Sequence, residues 1–268
     1  MSAPNAASQP RFAFGENWTR FLGALDENRI AAAQSALQDM LGSRDLSGKT
    51  FLDIGSGSGL SSLAAHRLGA RVISFDDDAQ SVSCTAELKR RFFPGDSSWS
   101  VLRGSALDEA FMRGLGACDI VYSWGVLHHT GDMWRALDLA CIPVTANGLL
   151  FIALYNDQGW ISRYWRAVKK LYNLNPPLRA LMTVLHVPYL VFARLAFRAV
   201  AGKGRLPRGM SLWHDMRDWL GGWPFETAQP DRIIAFCKAR GFFLIRSRTV
   251  GRRHGCNEFV FARAPKPA

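Results

Sequence analysis

The chain has no Cys-x-x-Cys pair among its 268 residues, and its five cysteines (84, 118, 141, 237 and 256) show no zinc-type spacing to histidine. They read as buried or free thiols in a reducing cytoplasm, not as a disulfide framework or a metal knot. Long apolar runs are also missing. In the segment after residue 157, Ala180 to Ala193 runs for 14 residues without a charge and contains Pro188. A bilayer span needs ~20, so this run is not read as a membrane-crossing helix. Met1 to Pro10 lacks the basic start and apolar centre of a signal peptide, so export is not expected. Between Gln158 and His214 there is no Asp or Glu in 57 residues, yet ten are Lys or Arg. Most of the net charge of +11 is therefore concentrated in one segment.

At 48% hydrophobic residues, the chain is not a disordered one. Its most informative stretch is Phe51-Leu-Asp-Ile-Gly-Ser-Gly-Ser-Gly59, an apolar strand running into a glycine loop with a carboxylate just ahead of it. Glycines at 55, 57 and 59 permit positive φ and a close approach of backbone to ligand. Leu60 to Gly69 follows with apolar residues at helical spacing and a stopping glycine. A second strand, Arg71 to Asp76, ends in an acid 21 residues after Gly55, the distance at which a ribose diol is gripped. A dinucleotide would set its pyrophosphate on the helix N-terminus, where Asp53 repels it. Leu60 also stands where that fingerprint wants its third glycine. A ligand carrying an ammonium and a sulfonium is attracted instead.

With these residues the chain resembles the class I S-adenosylmethionine-dependent methyltransferases over roughly residues 48–155 and 226–264. Asp119 to Thr130 looks like that family's fourth-strand motif, and Gly148 to Leu154 like its fifth strand. Trp124 to His129, Leu154 to Gln158, Asp218 to Gly222 and Gly255 to Phe261 are similar to a bacterial subgroup often labelled quinol or polysaccharide-cluster methyltransferases. The resemblance implies an α/β fold: a doubly wound, mostly parallel seven-stranded Rossmann-like sheet with an antiparallel edge strand and a helical insertion after the fifth strand. Periodicity places strands near 50–55, 71–76, 100–105, 119–124, 148–154, 242–250 and 256–263. The expected organisation is a tail with cap helices (1–47), a cofactor core (48–156), a basic amphipathic insertion (157–229) and a C-terminal helix with two strands (230–268).

For S-adenosylmethionine the resemblance nominates Asp53, Gly55, Ser56, Gly57 and Gly59 in the loop. It adds Asp76 and Asp77 at the ribose, Ser105, Ala106 and Leu107 beside the adenine, and Trp124 and Gly125 after the fourth strand. Family members often carry an acid at position 105, so the serine there leaves Asp108 open as a helix cap. Candidate bases are His129 first, then His128 and Asp215, with structural packing or solvated roles open for each. Candidate acceptor contacts are Trp18, Tyr155, Asn156, Asp218, Trp219, Trp223 and Asn257, the last equally a turn-capping residue. No metal is expected, because the histidines show no ligand pairing beyond His214-Asp215. Members that methylate exocyclic amines show an Asn/Asp-Pro-Pro-aromatic element after the fourth strand. Ser123-Trp-Gly-Val126 stands in its place and directs expectation to an oxygen or carbon of a small-molecule, glycan or lipid-linked acceptor.

The basic insertion has three open readings: a helix pair lying on an anionic membrane surface, a nucleic-acid groove, or a lid with solvated charges. Its apolar run disfavours nucleic acid, for which phosphate contacts alone have no use. The expected location is cytoplasmic, with peripheral attachment to the inner face of the membrane as one form of it.

Overall fold

The computed structural model describes residues 18, 22, 23, 25–201 and 219–264. They divide into two compact units, Gly159–Glu226 being one and the residues before Gly159 and after Glu226 the other. The larger unit opens with α1 (Glu27–Leu41), capped by the Asp26 carboxylate accepting from Arg29 N–H at 2.9 Å and closed by Gly42 at φ +70°. Next come β1 (Thr50–Ile54), α2 (Leu60–Arg67), β2 (Arg71–Asp76), α3 (Ala79–Phe92) and β3 (Trp99–Arg103). After these follow α4 (Glu109–Gly114), β4 (Cys118–Trp124), a 3-10 turn (Leu127–His129), α5 (Met133–Ala140) and β5 (Val144–Tyr155). Helix α8 (Pro230–Lys238) leads into β6 (Phe242–Arg248) and β7 (Cys256–Arg263), which complete the sheet.

The seven strands lie in the order β3-β2-β1-β4-β5-β7-β6. From β3 to β5 neighbours are parallel, whereas β7 is antiparallel to both β5 and β6. The reversed strand is thus β7, one in from the edge, and β6 forms the edge itself. Because side chains alternate across a strand, successive residues feed two cores. Leu52, Val121, Leu150 and Phe261 face one core, built with α4, α5 and α8. Phe51, Ile120, Phe151 and Val260 face the other, built with α1, α2 and α3. The chain leaves β1 toward β2 and returns on the far side as β4, which makes the β1/β4 carboxyl ends the switch point where ligands enter such sheets.

Strand β5 begins four residues before the expected 148. Cys118 pairs with Val144 and Ile120 with Leu149, so Thr145 to Gly148 bulge out of the ladder, with Asn147 at φ +63°. Asx-Gly dipeptides read as turns, which hides this start. The smaller unit is helical: α6 (Trp160–Leu174) and α7 (Pro176–Ala201, with Pro188 inside), followed by residues 219–226. There the Lys169 ammonium is fully buried, donates to the Trp219 carbonyl, and lies 4.4 Å from the Trp219 ring centre and 4.9 Å from that of Phe225. Among the described residues, no helix is long and apolar enough to cross a membrane.

Candidate active site

Asp53 is the fourth residue of β1 and faces α2, the same side as Ser74 of β2 and Ser62 of α2. It is 2% exposed. Ser62 Oγ donates to Asp53 Oδ2 at 2.5 Å and lies 2.7 Å from Ser74 Oγ, which accepts from Trp99 Nε1 at 2.8 Å. This buried chain of donors steadies a carboxyl group that burial pushes up to about 7, with the Ser62 hydroxyl pulling the other way and the charge of Asp76 adding to the rise. A group balanced there is set to ionise when a cation arrives. The sequence offered one trace of the chain, a lone serine within the apolar strand Arg71-Val-Ile-Ser-Phe-Asp76. Its partners Ser62 and Trp99 carried none.

The glycine loop is pinned on both sides. Gly55 N–H and Ser56 N–H donate to the Phe75 carbonyl at 2.9 and 3.0 Å, and Ser56 Oγ lies 2.9 Å from Thr85 Oγ1 on α3. At Gly55, φ is +75° and a Cβ would fall 2.4 Å from Val126 Cγ1, so only glycine fits. Trp18 packs its indole on Gly57, 3.0 Å from where a Cβ would stand. Gly59 opens α2. Asp76 closes the other wall. Its Oδ2 accepts from Gly57 N–H and its Oδ1 from Asp78 N–H, each at 3.0 Å. Each carboxylate oxygen keeps a second lone pair for a hydroxyl. Burial lifts Asp76 to about 6 against the pull of those two N–H donors.

Asp77 is exposed, and its carbonyl accepts from Arg103 Nε at 3.2 Å. After β3, Ser105 Oγ accepts from Leu107 N–H at 3.3 Å and Ala106 is buried. Asp108 caps α4 through Phe111 N–H at 3.1 Å. At the end of β4, Gly125 has φ +77°, and a Cβ there would meet no atom within 4 Å. Trp124 turns to the α2 side and donates Nε1–H to Glu258 Oε1 of β7 at 2.8 Å. It reaches over β5 because its neighbour there, which is also the neighbour of Glu258, is the small Ala153.

His128 and His129 lie on the turn beyond β4. His128 is fully buried, its ring centre 3.9 Å from that of Tyr155, and its Nδ1 accepts from Tyr155 N–H at 3.3 Å. That bond places the proton of the neutral ring on Nε2. His129 is half-buried, with its ring edge-on to Tyr155 at 5.5 Å. Asn257 is fully buried; its Oδ1 accepts from Val250 N–H at 2.9 Å and its Nδ2 donates to Asn156 Oδ1 at 3.0 Å. Both amides thus hold the β6–β7 turn. Trp219 and Trp223 belong to the helical unit. Asp215 and Asp218 lie outside the described residues.

An adenosyl group with a cationic amino acid fits these walls: a buried acid near neutrality, a second acid with free lone pairs at the ribose distance, and a glycine loop that a Cβ would obstruct. Residues 52–152 match the sequence profile of a family described as a methyltransferase domain. A ubiquinone biosynthesis O-methyltransferase of Methylobacterium sp. (strain 4-46) is 32% identical over 129 residues, 48% of this chain and 49% of that protein. The like-named protein of Brucella melitensis biotype 2 is 30% identical over 113 residues, 42% of this chain and 44% of that one. The chain thus spans about half the length of the curated relatives it matches. Among solved structures, magnesium protoporphyrin IX methyltransferase (ChlM) from Synechocystis PCC 6803 with bound SAH superposes with a TM-score of 0.56 at 14% identity, covering 93% of this chain and 94% of that one. An O-methyltransferase family protein from Burkholderia thailandensis gives a TM-score of 0.54 at 15% identity, covering 98% of this chain and 67% of that one. At such identities the likeness is one of fold. Residues 52–152 form a methyltransferase domain of the class I S-adenosylmethionine-dependent family, with S-adenosylmethionine as its cofactor.

Proposed function

We propose that this chain methylates an oxygen of a small-molecule acceptor, and the observation that carries the reading is the pairing of buried Asp53 with Asp76 around the glycine loop. S-adenosylmethionine, when bound, supplies a methyl group on a good leaving thioether. The protein's part is to hold and orient. Asp53 meets the cationic amino acid and Asp76 the ribose hydroxyls. Holding two partners at attack distance supplies up to ~7–11 kcal/mol of the barrier reduction. An acceptor hydroxyl must also lose its proton, and His129, half-buried beside Tyr155, receives it in this account. A general base of that kind contributes about 100- to 10,000-fold. The relatives named for ubiquinone biosynthesis O-methylation support oxygen over carbon. Incubation with methyl-labelled cofactor and a cell extract tests this: a labelled O-methyl product together with S-adenosylhomocysteine is expected. Cofactor binding without either product would mean a non-catalytic protein that keeps the fold.

A second reading concerns where the acceptor is met. On α7, Leu181, Val184, Leu185 and Phe192 are exposed at helical spacing, and Trp160 of α6 is 69% exposed. They share a segment with ten Lys or Arg and no acid. Apolar anchors among cations suit the surface of an anionic membrane. Co-sedimentation with vesicles containing anionic lipid, and none with neutral vesicles, is the expected result. Salt-sensitive retention on RNA would favour a nucleic-acid acceptor instead.

A further inference from the structure

The turn between β6 and β7, Gly251-Arg-Arg-His-Gly255, is held by three amide side chains, two of them from the segment that follows β5 and one from β7. Asn156 Nδ2 donates to the Gly251 carbonyl at 2.7 Å, Gln158 Nε2 to the Arg252 carbonyl at 2.5 Å, and Asn257 Oδ1 accepts from Val250 N–H at 2.9 Å. Backbone bonds add to these: Asn156 N–H donates to the Gly255 carbonyl at 3.0 Å, and Tyr155 pairs with Cys256. Gly251 at φ +61° and Gly255 at φ +140° allow the tight course. A surface turn needs no such anchoring to stay folded; rigidity of this kind suits a turn that must present side chains in one place.

What it presents is positive charge. Arg252 and Arg253 are exposed, and among the described residues neither has a carboxylate at ion-pair distance. Because β7 runs antiparallel to β5, its first residues lie at the same edge of the sheet as the ends of β1 and β4. Tyr155, directly before Asn156, packs against His128 and His129. On the methyltransferase reading above, an acceptor reaching a donor at the β1/β4 switch point passes the ends of β4 and β5, next to this turn. Guanidinium groups present paired N–H donors that match carboxylate and phosphate oxygens.

We infer that Arg252 and Arg253 form an anion clamp for the acceptor, so that the methylated molecule carries a carboxylate or phosphate in addition to its accepting oxygen. The inference rests on the methyltransferase reading above. It predicts selection among acceptors by charge, set by the turn and independent of donor binding.

The test is calorimetry on the full chain saturated with S-adenosylhomocysteine, titrated in parallel with 4-hydroxybenzoate, 4-hydroxyphenylphosphonate and neutral 4-hydroxybenzamide. At least one of the two anions should bind tenfold or more tighter than the amide, and which one does so tells a carboxylate from a phosphate acceptor. The double substitution Arg252→Gln/Arg253→Gln should erase that preference while leaving S-adenosylhomocysteine affinity within twofold, which also shows that the variant is folded. Anions binding no tighter than the amide, or a preference that survives the substitution, would overturn the clamp. Failure of the wild-type chain to bind S-adenosylhomocysteine in the first titration would instead sink the donor reading.

Discussion

Ser62 donates its hydroxyl hydrogen to Asp53 at 2.5 Å, joining the first turn of α2 to the strand that ends in the glycine loop. The bond stabilises the ionised acid in a place where burial opposes ionisation. Removing it by Ser62→Ala should raise the Asp53 carboxyl further and weaken S-adenosylmethionine binding at pH 7 about tenfold. The loss should shrink at pH 8.5, where Asp53 is ionised regardless. Titration calorimetry at the two pH values checks it.

Asp53, pushed up to about 7, makes donor binding proton-linked. A cation favours the carboxylate, so below pH 7 binding must release a proton. Affinity should rise by up to about tenfold per pH unit from pH 6 to 7 and then level off. The same shift acts on the ligand-free protein in the opposite sense. With an unfolded value near 3.8 and a folded value near 7, the folded state holds the extra proton between them, so stability declines as pH rises across that window and is flat above it. The amount is on the order of 4 kcal/mol. Asp53→Asn should therefore stabilise the ligand-free protein at pH 8, leave it little changed at pH 4, and abolish proton release on binding. Melting curves and calorimetry in buffers of different ionisation enthalpy measure both effects.

Gly55→Ala would place a methyl 2.4 Å from Val126 Cγ1 at a φ of +75°. Backbone strain of about 1–3 kcal/mol adds to that clash. Val126→Ala in the same chain should restore only the part due to the clash. Gly125→Ala, with φ +77° and no atom within 4 Å of its Cβ, should cost stability less yet still weaken the cofactor. Thermal melts and S-adenosylhomocysteine affinity separate the two substitutions.

The reach of Trp124 to Glu258 depends on Ala153 lying beneath it. Ala153→Leu should block that hydrogen bond and shift tryptophan emission to the red. Glu258→Gln, which retains an acceptor, should leave emission near the wild-type position. Fluorescence of the two variants, compared with their cofactor affinities, shows whether the bond orients the residues after β4.

Much of the fold was legible because its signals are local. Alternation toward two cores, glycines at forced turns and a carboxylate before the loop are written in adjacent residues, and β1, β2, β4 and β7 lie within a residue of their expected bounds. Relations across the sheet were not. The Trp99-Ser74-Ser62-Asp53 chain joins three strands and a helix. The Trp124–Glu258 bond spans 134 positions. The part played by Asn156 and Asn257 in holding the β6–β7 turn depends on antiparallel register that no spacing announces. Polar residues inside an apolar strand hint at a partner without naming it.

The account stands most directly on donor affinity in wild-type, Asp53→Ala and Asp76→Ala proteins, measured by titration calorimetry with S-adenosylmethionine at pH 8. It predicts micromolar binding by the wild type and a loss of about 100-fold or more in each variant. Absence of binding heat in the wild type, or affinity unchanged in both variants, would contradict it.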